Sequence, residues 1–178
     1  MIYVRDDDER VDVVNVNDEV LRTIYRAEVR RAGFKSFAQR DEYFRATSLL
    51  IRRNRCGSLW IPRRSKEKAS LPLALDFSTS GYVSSGESYL DALIREVSEE
   101  INLIVQTKEL RYLGKLTPQI GGAFFTEIYE IEREDEPEYN RDDFCECAWL
   151  QPCELLEKLA QGDQAKSDLP LAIKTFYI

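Results

Sequence analysis

The 178-residue chain contains no histidine, and that absence removes a good deal of chemistry. Without imidazole there is no Ser-His-Asp or Cys-His catalysis, no His-bearing zinc site and no side chain whose ordinary pKa lies near neutrality. Acid–base work falls to carboxylates, Lys, Tyr or Cys. No apolar run approaches the ~20 residues of a membrane span. The N-terminus, Met1-Ile2-Tyr3-Val4-Arg5 followed by Asp6, Asp7, Asp8 and Glu9, lacks the basic start and apolar stretch of a signal peptide. A cytoplasmic protein without membrane partners is expected. Bases are in deficit, 25 against 32 acids for a net charge of −7, which argues against general nucleic-acid binding through phosphate neutralisation. Cysteines are few: Cys56, Cys145, Cys147 and Cys153. Their spacing is not that of a zinc ribbon, and reduced thiols are expected.

What is present is ordinary for a folded chain, 43% apolar and 32% charged, of a length that suits one domain. The plentiful carboxylates suit hard cations such as Mg²⁺ or Mn²⁺. A small phosphorylated substrate held through such a cation is compatible with the acidic balance.

The patterning mixes strands and helices irregularly. Residues Val11 to Val16 and Glu19 to Ile24 flank Asn17-Asp18 as a hairpin. Tyr25 to Ala32 reads as a short helix stopped by Gly33. Phe44 to Arg52 and Ser58 to Pro62 pair across a turn at Asn54 to Gly57. Leu71 to Thr79 reads as an extended apolar approach to Gly81. From Ser88 to Ile101 the period becomes helical, with Leu90, Leu93, Ile94, Val97 and Ile101 in one stripe. Strands are expected at Glu109–Lys115 and Ala123–Arg133 and a helix from about Pro152 to Ala160, whereas Leu169–Phe176 is ambiguous between helix and strand. The sum is an α+β layered architecture. Charge is segregated as well: Arg52 to Lys68 holds seven bases and one acid, and Glu127 to Glu146 holds ten acids and two bases, most of it read as solvated surface.

The chemically informative segment is Gly81-x5-Glu87-x7-Arg95-Glu96-Val97-Ser98-Glu99-Glu100-Ile101-Asn102-Leu103. On a helix Glu96, Glu99 and Glu100 share one face beside the apolar stripe, with the small Ala92 leaving room for a ligand. Like charges at these spacings cost a few tenths of a kcal/mol per exposed pair, and more when desolvated. A divalent cation reverses the sign of that interaction. An amphipathic surface helix rich in Glu explains the acids, but not Gly81, Glu87 and Arg95 at their spacings.

This segment resembles the Nudix box at every position except the second glycine, where Asn102 stands. A chance match of the six other non-aliphatic positions is roughly one in ten million per starting point. Asn is the next-best residue after Gly for a left-handed helix stop. The resemblance implies a Nudix fold, an α/β/α sandwich with a mixed sheet, at residues 43–178, with residues 1–42 as a hairpin-helix extension packed on it. It implies Mg²⁺ (or Mn²⁺) held by Glu96, Glu99, Glu100 and the Ser80 carbonyl, an Arg95–Glu87 ion pair that pins the loop carrying Gly81 and Gly86, and a general base drawn from Glu99, Glu100 or a late acid. Counting six residues back from Trp149 gives Asp143 for that acid, with Glu146 and Glu127 as alternates. The implied reaction is water attack on phosphorus in a nucleoside-diphosphate-linked small molecule. Homodimers are frequent in the family, so a homodimer is an expectation.

Arg63 and Arg64, followed by Lys66 and Lys68, come after a core strand and are placed to clamp substrate phosphates. Tyr82, Phe124 and Phe125 are placed either to stack a base or to pack in the core. The segments from Val11 to Gly33, around Arg63-Arg64-Ser65 and at Leu75-Asp76-Phe77-Ser78 resemble the isopentenyl diphosphate isomerase-like branch. Isomerase chemistry itself is disfavoured, since Ser80 stands where the thiol belongs and the histidines of that metal site are missing. A Nudix domain that binds without turnover is the alternative from another class.

Overall fold

The computed structural model describes residues 8–178. Its first strands, β1 (Arg10–Val14) and β2 (Val20–Tyr25), form an antiparallel hairpin. Two short helices follow, α1 (Arg26–Ala32) and α2 (Phe34–Ala38). Gly33 separates them at φ 74°, a left-handed angle that favours a residue without Cβ.

The main sheet is built from β3 (Arg45–Arg52), β4 (Leu59–Arg64), β5 (Thr79–Tyr82), β6 (Arg111–Leu116), β7 (Phe125–Glu132) and β8 (Phe144–Leu150). Its order is β6-β7-β3-β4-β8, with β5 also paired to β3. Strand β7 runs parallel to β3 along its whole length, and the other pairs are antiparallel. The opposite edge of β3 is divided. Its N-terminal half pairs with β5, Ala46 to Leu49 against Tyr82 to Thr79, and its C-terminal end pairs with β4 only through Ile51 and Arg52. The sheet therefore splits between β4 and β5.

Alternation along β3 supplies two cores, because successive side chains point to opposite faces. Leu49 and Ile51 pack with Trp60, Tyr129 and Ile131 against Leu93, Val97 and Ile101 of helix α3 (Tyr89–Ile101). Leu50 packs with Leu59, Ile61 and Ile128 against Leu155 of α4 (Pro152–Ala160) and Leu169, Ala172 and Ile173 of α5 (Leu169–Phe176). The result is the expected three-layer sandwich around a mixed sheet. A third cluster, Val11, Val13, Val29, Phe37 and Phe44, seats β1, α1 and α2 on the start of β3.

One expectation needs correction, one ambiguity is resolved and one antiparallel pairing is present but short. Leu71 to Thr79 is not extended throughout: Leu71 and Leu73 sit at φ 49° and 61°, in a turn whose carbonyls at Ser70 and Leu71 are held by the Arg64 guanidinium. Only from Leu75 does the chain straighten toward β5. Leu169–Phe176 resolves to a helix, opened by Pro170 in its first turn, where proline is tolerated. The predicted β3–β4 hairpin is joined by just two residue pairs, because β5 takes the rest of that edge.

Candidate active site

Helix α3 is well specified locally. The Ser88 hydroxyl accepts from the Asp91 backbone N–H at 3.1 Å as N-cap, and Asn102 closes the helix at φ 49°, ψ 28°, the left-handed stop for which Asn is suited. Its apolar stripe on the sheet fixes the helix rotation, and that rotation turns Glu96 and Glu100 into the packed boundary with β5. Both carboxylates are buried, at 8% and 9% exposure.

The closeness of that boundary explains Gly81. A Cβ at this position would lie 1.9 Å from Glu96 Oε1, so any side chain evicts the carboxylate. The Glu100 carboxylate accepts from Thr79 Oγ1 at 2.6 Å and the Ser80 backbone N–H at 3.2 Å. Glu99, one turn on from Glu96 and more exposed, faces Arg95 at 3.4 Å.

Arg95 organises the loop before the helix. Its Nε and Nη2 donate to the two Glu87 oxygens at 3.1 and 3.0 Å, a two-pronged pair, while Nη2 also reaches the Tyr82 carbonyl at 3.0 Å and Nη1 reaches Glu96 at 2.6 Å. Glu87 in turn accepts from the Ser84 N–H at 3.1 Å. Burial works against the Arg95 charge, yet these carboxylates outweigh it and keep the guanidinium firmly protonated.

The two buried acids are electrostatically unsettled. Burial pushes the Glu100 carboxyl up to about 8, helped by the neighbouring Glu96 and Asp76 charges. Glu96 is likewise pushed up by burial, against the pull of Arg95. Burial of the two neighbouring carboxylates favours their protonated forms. That excess of buried negative charge is what a divalent ion would fit. Glu96, Glu99, Glu100 and the Ser80 carbonyl could hold one. Among the described residues no three acids already stand as a cation cage, since Glu96 is turned to Arg95 and Glu100 to Thr79.

Other residues gather on the α5 side of the split. Lys166 Nζ donates to the Ser80 carbonyl at 3.1 Å and lies 3.7 Å from Asp76 Oδ1. Asp76, 2% exposed, accepts from Arg64 at 2.6 Å. Ser48 and Ser80 hydroxyls share a buried hydrogen bond at 2.7 Å. Lys166, Thr79 and Asp76 were not singled out from sequence. Lys166 comes from a segment more than sixty residues beyond the motif, and only the fold brings it there.

Arg63 and Arg64, expected to clamp phosphate, both have partners within the chain. Arg63 is spent on Asp163 at 2.9 Å, on Glu146 and on the Leu73 carbonyl at 2.8 Å. Arg64 is spent on Asp76 and the Ser70 and Leu71 carbonyls. Both guanidiniums satisfy internal acids and carbonyls, so they pin the loop after β4. Asp143 is paired with Lys68, Glu146 with Arg63, and Glu127 accepts from the Tyr129 hydroxyl at 2.6 Å; none contacts the α3 carboxylates. Tyr82 and Phe124 stack edge-on at 5.5 Å, and Phe125 is buried against Tyr43 at 6.0 Å, which is packing. The four thiols are free.

Comparison with known proteins accords with this geometry. A family model described as the NUDIX domain matches residues 42–169. The chain is 42% identical over 170 residues to a protein of Nostoc sp. named uncharacterized Nudix hydrolase, covering 95% of this chain and 96% of that one. It is 38% identical over 171 residues to a protein of Deinococcus radiodurans named Nudix hydrolase, covering 96% and 95%. The crystal structure of DR0079 from Deinococcus radiodurans superposes with a TM-score of 0.84 at 35% identity, over 96% of this chain and 100% of that one. The MutT protein of Methanosarcina mazei, at 17% identity, TM-score 0.58 and 75% and 92% coverage, shares the fold.

Proposed function

Since the chain belongs to the Nudix family, we propose that it is a pyrophosphohydrolase that uses Mg²⁺ to cleave a nucleoside-diphosphate-linked small molecule. The observation that carries this reading is the pair of buried acids, Glu96 and Glu100, lodged against a β5 backbone that only Gly81 allows them to approach. Burying two neighbouring carboxylates is costly even where Arg95 and Thr79 engage them, and a cation held there would offset that cost.

In this mechanism Glu96, Glu99, Glu100 and the Ser80 carbonyl would hold the cation, which would supply charge neutralisation of the pyrophosphate and a more acidic water. The chain's own groups do the rest. Glu87 holds Arg95, which keeps Tyr82 and the preceding loop in register with the helix. Glu99, the most exposed acid of the three, is the candidate to take the proton from the attacking water, with Glu100 as the alternative. Asp143 is a weaker candidate because Lys68 engages it.

We place the chain in the isopentenyl diphosphate isomerase-like branch on its N-terminal hairpin and helix, without the isomerase reaction. Ser80, whose hydroxyl is bound to Ser48, is a poor substitute for a thiol in protonating carbon.

The reading of a domain that binds without turnover is favoured by one observation, the present engagement of Glu96 by Arg95 and of Glu100 by Thr79. A panel of nucleoside-diphosphate-linked compounds incubated with Mg²⁺ separates the two readings. Hydrolysis of at least one, lost in Glu100→Gln, is expected; tight nucleotide binding with no phosphorylated product and no metal dependence would overturn the hydrolase reading.

A further inference from the structure

We propose that Lys166 is a tethered cation, which occupies the Ser80 carbonyl in the metal-free protein and competes with a divalent ion for it. The inference rests on the reading that this carbonyl and the α3 acids receive the ion.

Lys166 is not a solvated surface lysine. Its backbone is fixed by a ladder on Leu75: the Leu75 N–H donates to the Gln164 carbonyl at 2.8 Å, and the Lys166 N–H donates to the Leu75 carbonyl at 2.9 Å. The next turn is secured as the Leu169 N–H donates to the Lys166 carbonyl at 3.0 Å, at the start of α5. From this anchored base the side chain, 27% exposed, reaches across the split to β5. There the ammonium donates to the Ser80 carbonyl at 3.1 Å and stands 3.7 Å from Asp76 Oδ1. Its positive charge is felt at Glu100 and at Asp168 as well.

The position has a simple electrostatic meaning. The buried acid pair and the Ser80 carbonyl make an electronegative corner, and the Lys166 ammonium stands at it. A divalent ion that takes the same carbonyl must displace the ammonium or bind beside a like charge, and either lowers its affinity. A merely structural lysine, one that ties the segment before α5 to β5, predicts the opposite: its loss would loosen β5 and weaken the ion's seat.

Isothermal titration of the metal-free, full-length protein with Mn²⁺ decides between them, with thermal melting reporting the fold of each variant. Lys166→Met and Lys166→Gln are expected to bind Mn²⁺ roughly tenfold more tightly than the wild type. Lys166→Gln retains an amide donor for the Ser80 carbonyl and so guards against loss of fold in Lys166→Met. Lys166→Arg, which keeps the charge, is expected to stay within about threefold of the wild type. Equal or weaker binding by both neutral variants, or tightening in Lys166→Arg as large as theirs, overturns the proposal. Glu96→Gln identifies which claim has failed. If it abolishes Mn²⁺ binding while the Lys166 variants are unchanged, the cation site stands and the tethered cation falls. If neither the wild type nor the neutral Lys166 variants bind Mn²⁺, both fall.

Discussion

Gly81 and Glu100 concentrate the chemistry of this chain into two residues. Because the missing Cβ of Gly81 is where Glu96 lies, Gly81→Ala is expected to cut kcat/KM at least about 100-fold, the scale on which an angstrom of misplacement acts. Steady-state kinetics checks this, alongside a melting curve that still shows a cooperative fold. Glu100 makes a pH prediction. Its folded carboxyl, pushed to about 8 by burial, holds a proton that the unfolded chain releases near its ordinary value of 4.5. The folded state therefore binds more protons between about 4.5 and 8, and the stability of the metal-free protein falls as pH rises through that window. Metal binding displaces the same proton, so Mg²⁺ affinity rises with pH up to about 8 and then levels. Melting in chelator at pH values across the window tests this. Glu100→Gln should remove Glu100's share of the decline and leave the metal-free protein at least as stable as wild type at the alkaline end.

At the scale of elements, the loop after β4 is held by Arg64 and Asp76, a buried pair at 2.6 Å with side chains 12% and 2% exposed. Truncation of Arg64 leaves the Asp76 carboxylate with the Phe77 backbone N–H and the more distant Lys166 ammonium as partners, so Arg64→Ala is expected to cost about 3 kcal/mol of stability. Urea denaturation measures it. A phosphate clamp would instead raise KM and leave the denaturation midpoint in place. This pair also shows where sequence reading stops. Helix α3 was legible from its apolar stripe and from Asn102 as its stop, both of which act within a few residues. So were the Arg95–Glu87 pair and the need for glycine at Gly81, through the family resemblance. The role of Arg63 and Arg64 was not legible, because their partners Asp163, Glu146 and Asp76 lie up to a hundred residues away, and a run of bases carries no record of which acids will meet it. The turn at Leu71 and Leu73 was hidden for the same reason: two leucines at positive φ contradict their own propensity, and Arg64 on the carbonyls of Ser70 and Leu71 holds the turn in place.

Across the whole molecule, the sandwich leaves its N-terminal hairpin to be fastened from outside. Asp18, at the hairpin turn with φ 63°, is held by Arg45 from β3, Lys115 from β6 and the Tyr89 hydroxyl from α3, the last at 3.0 Å. One carboxylate thus joins the hairpin to three elements of the core. Despite the burial that opposes it, the hydrogen bonds from Lys115 and Arg45 hold the Asp18 carboxyl below its usual range. Its contribution is present above the ordinary carboxylate range and is lost as pH falls through the lowered value. Asp18→Ala leaves two cations facing each other and is expected to cost about 1–3 kcal/mol, read as a lower denaturation midpoint. The same hairpin layer presents Arg26 over the Tyr82 ring at 4.8 Å, and the Arg26 charge is felt at Glu96, so the N-terminal layer contributes to the electrostatics of the α3 acids.

Hydrolysis in heavy-oxygen water tests the central claim most directly. Purified protein, Mg²⁺ and a nucleoside-diphosphate-linked substrate should give a phosphorylated product that carries one heavy oxygen on phosphorus by mass spectrometry, and the product should vanish with chelator or with Glu100→Gln. Cleavage whose heavy oxygen is found on carbon, or labelled product formed equally by Glu100→Gln, would contradict it.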